Sequence, residues 1–267
     1  MTTKKFKKVI FDYYNQTKRD FPWRETTDPY KIIVSEVMLQ QTQALRVVSK
    51  YKVFIKKFPT IQQLAKAKVS DVLKIWLGLG YNRRALALKR LAETVVRDHK
   101  GKVPDSPTAL MSLPGIGPYT AGAVSAFAFN KPYPIIETNI RTVYIHFFFP
   151  NQTKVDDKEL LPLVSKTLDL DNPREWYWAL MDYGAMLKEK GFDKGRHSKG
   201  YTKQSKFKGS DREVRGKILK LLGKNKKLSK IELERLVADE KGRVKDKLKE
   251  LQNEGFILKQ KAYFELV

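Results

Sequence analysis

A chain of 267 residues with Lys+Arg 53 against Asp+Glu 29 carries a formal net charge of +24, and a fold that positive has a polyanion as its natural partner. It contains no cysteine, which excludes disulfides, thiol nucleophiles and thiolate-held zinc or iron–sulfur sites. No apolar run approaches the roughly 18 to 20 residues of a membrane helix, and His99, His146 and His197 are too scattered to suggest a metal site.

Taken in chain order, MTTKKFKKVIFDYY mixes charged and apolar residues at helical spacing. It lacks the continuous apolar core of a signal peptide, which points to an intracellular protein with no membrane partner. Next comes VSEVMLQQTQ, residues 34–43, in which Val34, Val37, Met38 and Leu39 surround the carboxylate of Glu36 in a buried helix. An isolated buried carboxylate costs several kcal/mol unless it is paired, hydrogen-bonded or protonated. VSKYKVFIKKF, IQQLAKAKVSDVLKIW and RALALKRLAETVVRDH then repeat apolar residues every three or four positions, as amphipathic helices do. Turns are signalled by FPT at 58–60, GLGYN at 78–82, GKVPDSP at 101–107, LPGIGP at 113–118 and NKPYP at 130–134. Ser106-Pro107 and Asn172-Pro173 have the form of an N-cap followed by a first-turn proline. The first 190 residues therefore read as all-α.

LPGIGPYTAGAV, 113–124, is the most specific local signal. Gly115 and Gly117, after a proline, make a tight hairpin between two helices, and Ala121, Gly122 and Ala123 allow close packing. Backbone amides of such a hairpin form a site for one phosphate of a nucleic acid. From Lys188 to Arg212 the composition turns to nine Lys/Arg, three Asp/Glu and four glycines, which is that of a basic linker. Beyond it, VRGKILKLL, SKIELERLVA and GRVKDKLKELQNEG predict three helices, the last stopped at Gly255, and FILKQKAYFELV predicts two short strands. That order is the order of a winged helix-turn-helix, a fold used both on DNA and between proteins.

From Arg19 to Leu187 the chain resembles the helix-hairpin-helix (HhH-GPD) DNA glycosylases, and within them the MutY-like adenine glycosylases. The segments that carry the likeness are RDFPWR, DPYKIIVSEVMLQQTQ, FPTIQQLAKAK, VLKIWLGLGY, KVPDSPTAL, LPGIGPYTAGAVSAFAF, IETNIR and LMDYGAML. The resemblance implies an all-α glycosylase domain over 1–190, built of two helical subdomains with the active site between them. A basic linker at 191–210 and a small α+β winged-helix-like domain at 211–267 would follow. It implies a cytoplasmic or nucleoid, prokaryote-like protein, monomeric, whose partner is double-stranded DNA with a mispaired or damaged base.

Site residues carry over from the family position by position. Glu36 matches its general acid: a carboxyl in an apolar pocket has a raised pKa and can protonate a departing purine at N7. Gln41 and Tyr81 match residues that wedge into the duplex as the target nucleotide is extruded, and Arg19 and Arg24 match positions lining the base pocket. Tyr119 stands where the endonuclease III branch has the lysine that attacks the sugar, and a phenol cannot form that Schiff base. The resemblance thus implies a glycosylase without β-lyase activity. Asn139 matches a polar residue that orients the catalytic carboxylates.

Three departures stand out. Lys188 occupies the place of the first cysteine of the family's iron–sulfur cluster, so no cofactor is expected beyond a monovalent cation at the 113–118 hairpin. The MutT-like domain that reads 8-oxoguanine is replaced by the short C-terminal module. The family's second catalytic carboxylate, an aspartate, is here Glu137 before Thr138, on a longer and floppier arm. The leading expectation is excision of adenine opposite G or 8-oxoguanine. The alternatives are a thymine or uracil glycosylase acting on G mismatches, and a non-catalytic DNA-binding protein on the same fold.

Overall fold

The computed structural model describes residues 1–192, 197–200, 206–239 and 242–267. Parts of the expected 191–210 linker, namely 193–196 and 201–205, lie outside the described residues. The chain divides into two compact units, Met1–Glu36 with Val103–Lys203 and Val37–Lys102 with Gln204–Val267.

The first unit holds α1 (Thr3–Thr17), most of α2 (Pro29–Leu39), α7 (Pro107–Met111), α8 (Pro118–Phe129), α9 (Thr138–Phe148), α10 (Asp157–Thr167) and α11 (Pro173–Glu189). Phe6, Ile10 and Tyr14 form the buried stripe of α1. Phe6 meets Tyr144, Phe147, Phe148 and Trp176 at ring separations of 5.3, 5.3, 5.1 and 5.8 Å, so α1, α9 and α11 share one aromatic core. Ser106 caps α7 through its hydroxyl, as its sequence position predicts. Asn172 also stands at the N-cap of α11, with Pro173 in the first turn, but its side chain donates to Glu175 instead of capping the backbone. The small residues of α8 are needed: a Cβ on Gly122 would lie 2.3 Å from Ile135 and 2.6 Å from Tyr133. Within the expected linker, His197 and Lys199 pair through their backbones with Val155.

The second unit holds α3 (Ala44–Lys57), α4 (Ile61–Lys66), α5 (Val69–Trp76) and α6 (Arg83–Asp98), together with α12 (Asp211–Lys224), α13 (Lys230–Val237) and α14 (Val244–Asn253). Its strands are β1 (Leu228–Ser229), β2 (Ile257–Gln260) and β3 (Tyr263–Leu266), antiparallel in the order β1-β3-β2. IQQLAKAKVSDVLKIW, one periodic stretch in sequence, is two helices: Ala67 and Lys68 are extended, and Lys68 starts α5 as its N-cap. Ser229 closes a capping box on Glu232 at the start of α13. Gly255, at φ +81°, ends α14, with Gly255 N–H on the Gln252 carbonyl and Phe256 N–H on that of Leu251, the paired bonds of a Schellman motif. The three helices and hairpin of a winged helix are therefore present. The two-residue strand β1, too short to leave a periodic signal, joins them.

Candidate functional site

Glu36 lies on α2 among Ile32, Ile33, Val34 and Met38, and is 5% exposed. Burial raises its carboxyl from an ordinary 4.5 to about 7; the hydrogen bond from Tyr119 opposes the rise, and the charge of Glu137 adds to it. The Tyr119 hydroxyl donates to Glu36 Oε2 at 3.1 Å. That hydroxyl is itself pushed well above its usual range, by burial first and then by the two carboxylates. Tyr119 sits in the first turn of α8, which starts at Pro118 immediately after the hairpin.

Glu137 is the N-cap of α9. Its Oε1 accepts from the backbone N–H groups of Asn139 at 2.7 Å and Ile140 at 2.8 Å. Its Oε2 accepts from the Thr138 hydroxyl at 3.0 Å and the Asn139 amide at 3.3 Å. The longer arm is therefore not floppy: four donors and the helix N-terminus fix the anion. Asn139 is held in turn by Lys188, whose ammonium donates to its Oδ1 at 2.8 Å. Close approach of α11 supports the arrangement, since a Cβ on Gly184 would lie 2.3 Å from the Asn139 carbonyl oxygen. Glu36, Tyr119, Glu137 and Asn139 thus form one connected group within the first unit.

Arg19 and Arg24 do not join that group. Both guanidinium groups are committed to Asp182, whose side chain is fully buried: Arg19 Nε donates at 2.7 Å, and Arg24 donates through Nη2 at 2.7 Å and Nη1 at 2.9 Å. Burial pushes the Asp182 carboxyl up, but the hydrogen bonds and charges of the two arginines outweigh it and leave it below its usual range. Arg24 also stacks against Phe21 and Trp178 and lines an open groove of about 420 Å³ with Glu25, Arg174, Glu175 and Trp178. That groove includes neither Glu36 nor Glu137 in its lining. Both arginines thus serve a buried carboxylate, which needs both forks.

The hairpin has the predicted form. Gly115 takes φ +79°, which glycine adopts without strain. Leu113 and Ile116 are buried as its anchors, and a Cβ on Gly117 would meet nothing within 4 Å, so this backbone is open to approach. Among the described residues no group of His, Cys, Asp and Glu could hold a metal ion. A thiolate-held cluster does not fit this chain, because it has no cysteine and Lys188 serves Asn139 instead.

Gln41 and Tyr81 lie in the second unit, both with left-handed backbones at φ +53° and +48°. For non-glycine residues that conformation is uncommon and is held only where surroundings dictate it. Here Arg84 dictates it, a residue that sequence reasoning did not single out. Its Nη1 donates to the carbonyls of Val37 and Met38, each at 2.9 Å, and to that of Gln40. Its Nη2 donates to the Gly80 carbonyl at 3.0 Å and the Thr42 hydroxyl at 3.1 Å. Its guanidinium lies 5.5 Å from the ring centres of both Trp76 and Tyr81. One side chain therefore caps the last turn of α2 and fixes both candidate wedge loops, and burial pulls its pKa down to about 10. The only signal for it in the sequence was a second arginine directly after GLGYN.

The family described as HhH-GPD superfamily base excision DNA repair protein matches residues 34–165. The chain is 35% identical over 238 residues to an adenine DNA glycosylase of Mycobacterium tuberculosis, covering 80% of this chain and 77% of that one. It is 33% identical over 187 residues to a thymine/uracil-DNA glycosylase of Methanothermobacter thermautotrophicus, covering 69% and 85% respectively. A solved structure of a thermostable thymine-DNA glycosylase superposes with a TM-score of 0.63 at 33% identity, covering 69% of this chain and 86% of that one.

Proposed function

The chain belongs to the HhH-GPD superfamily of base excision DNA repair proteins, the DNA glycosylases, and on that premise we propose that it hydrolyses the N-glycosidic bond of an extruded adenine opposite G or 8-oxoguanine, without cutting the strand. The observation that carries the reading is Glu36: a buried carboxyl held at about 7, bonded by Tyr119 and facing the charge of Glu137. A group with that pKa keeps a proton to give near neutral pH. Delivered to N7 of the purine, it turns a poor leaving group into a neutral one. The C1′ centre then carries oxocarbenium charge, and Glu137, fixed by four hydrogen bonds, supplies the compensating anion. Tyr119 is a phenol bonded to Glu36, with no amine to attack the sugar, which supports a monofunctional reaction.

The second reading is excision of thymine or uracil opposite G, favoured by the likeness to the Methanothermobacter thermautotrophicus enzyme. Duplexes carrying a single A, T, U or hypoxanthine mispair, incubated with the protein and then treated with alkali, separate the two. Cleavage only after alkali and only at A supports the proposal. Cleavage at T or U opposite G replaces it with the second reading, and breaks before alkali contradict the monofunctional chemistry.

A further inference from the structure

The C-terminal helices are not a free appendage to the turn that carries Tyr81. Arg83, the first residue of α6, grips Glu254 through Nε at 2.9 Å and Nη2 at 2.7 Å. Arg215 of α12 grips the same carboxylate at 2.9 and 2.7 Å. Hydrogen bonds from Arg83, then from Arg215, outweigh desolvation and hold Glu254 down at about 2, so the latch is charged at any physiological pH. The backbone N–H of Ser70 on α5 donates to the carbonyl of Val267. A Cβ on Gly223 of α12 would lie 2.7 Å from Leu77, so α12 seats directly against the end of α5. The consequence is at the start of α12, where Arg212 Nη1 donates to the Tyr81 hydroxyl at 3.2 Å.

We propose that Arg212 is a specificity-determining residue that recognises a guanine standing opposite the extruded nucleotide. The inference rests on the reading of Tyr81 as the side chain that enters the duplex. Tyr81 is 37% exposed on its turn, and the guanidinium lies at the tip of its ring, at the hydroxyl. Whatever the tip reaches, Arg212 reaches within one hydrogen-bond length. A guanidinium is a planar fork of donors with no acceptor. Its complement is a base edge with two adjacent acceptors, which guanine offers at O6 and N7. Adenine sets a donor beside its N7, thymine presents one acceptor at that edge, and 8-oxoguanine carries hydrogen on N7. The fork therefore selects guanine over all three.

The test is equilibrium binding of the full chain to duplexes containing a tetrahydrofuran abasic analogue opposite G, 8-oxoguanine, A, C or T. It needs no excision. Wild type should bind the G duplex tightest, and Arg212→Ala should reduce that preference about tenfold or more, the discrimination typical of one bidentate arginine–guanine pair. Arg212→Lys keeps the charge but loses the fork, so it should retain the salt dependence of binding and still lose most of the preference. Equal weakening on every duplex would make Arg212 a phosphate contact and overturn the proposal. So would a flat wild-type profile, a preference for another base, or a guanine preference that survives in Arg212→Ala. Adenine excision measured in parallel keeps the two readings apart. An Arg212-dependent guanine preference without excision refutes the adenine chemistry alone, whereas excision with a flat binding profile refutes Arg212 alone.

Discussion

Replacing Glu36 with Gln should stabilise the protein at alkaline pH while abolishing its chemistry. The carboxyl titrates near an ordinary 4.5 when unfolded and at about 7 when folded, mainly because it is buried. The folded state therefore binds the proton more tightly. Below the unfolded value the acid is neutral in both states and costs nothing. As pH rises through the folded value, wild type must carry a desolvated charge that the unfolded chain carries freely. A displacement from 4.5 to about 7 corresponds to about 3 kcal/mol, of which about 2 to 3 kcal/mol is lost between pH 5 and pH 8. Gln keeps the shape and never ionises. Urea unfolding of wild type and Glu36→Gln at both pH values should show the variant gaining that margin at pH 8 relative to pH 5. If the stability difference is the same at both pH values, the carboxyl is not held in its acid form by burial, and the account of its raised pKa is wrong.

Glu137→Gln should abolish excision while preserving most of the α9 cap. Glu137→Asp should lower excision rather than raise it, because the present arm already places its carboxylate on four donors; single-turnover rates on A mispairs decide, and a faster Asp variant contradicts this. Arg84→Ala should destabilise by about 3 kcal/mol or more, since several carbonyls of the α2 terminus and the Tyr81 turn lose a charged donor. Thermal unfolding and DNA affinity should fall together, and an unchanged melting temperature would remove its positioning role. Borohydride should trap no covalent protein–DNA adduct, given Tyr119 where an amine would be required; efficient trapping refutes it. Residues 188–267 hold 24 Lys/Arg against 12 Asp/Glu, so charge-neutralising substitutions there should reduce the slope of log K against log salt by about 0.9 for each phosphate that the protein no longer neutralises. A slope that does not change would place the DNA-binding surface elsewhere.

Much of the candidate site could be read from local pattern. Glu36 announces itself as a carboxylate inside an apolar helix, and PGIG between a capped helix and a small-residue helix specifies its turn through backbone geometry. Partnerships between distant residues left no such mark. Arg19 and Arg24 meet Asp182 across more than 150 residues, and neither arginine differs in sequence from one facing a ligand. Lys188 looked like a residue filling a lost cysteine position, yet it holds Asn139 from α11. The left-handed backbones of Gln41 and Tyr81 are imposed by Arg84 and not by any local preference of Gln or Tyr. Glu137 read as a carboxylate on a longer and floppier arm because the added methylene was weighed without the N-cap that receives it. Charge predicted a basic C-terminal module, whereas its seat on α5 and α6 depends on Gly223, Glu254 and two arginines that composition cannot place.

The most direct measurement of the central claim is kcat/KM for adenine excision from an A·G duplex between pH 5 and pH 9. With Glu36 as the acid, the rate constant should be level at low pH, bend near 7 and fall about tenfold per pH unit above it. A profile that stays flat through pH 9, or rises as Glu36 loses its proton, would show that this carboxyl does not protonate the departing base.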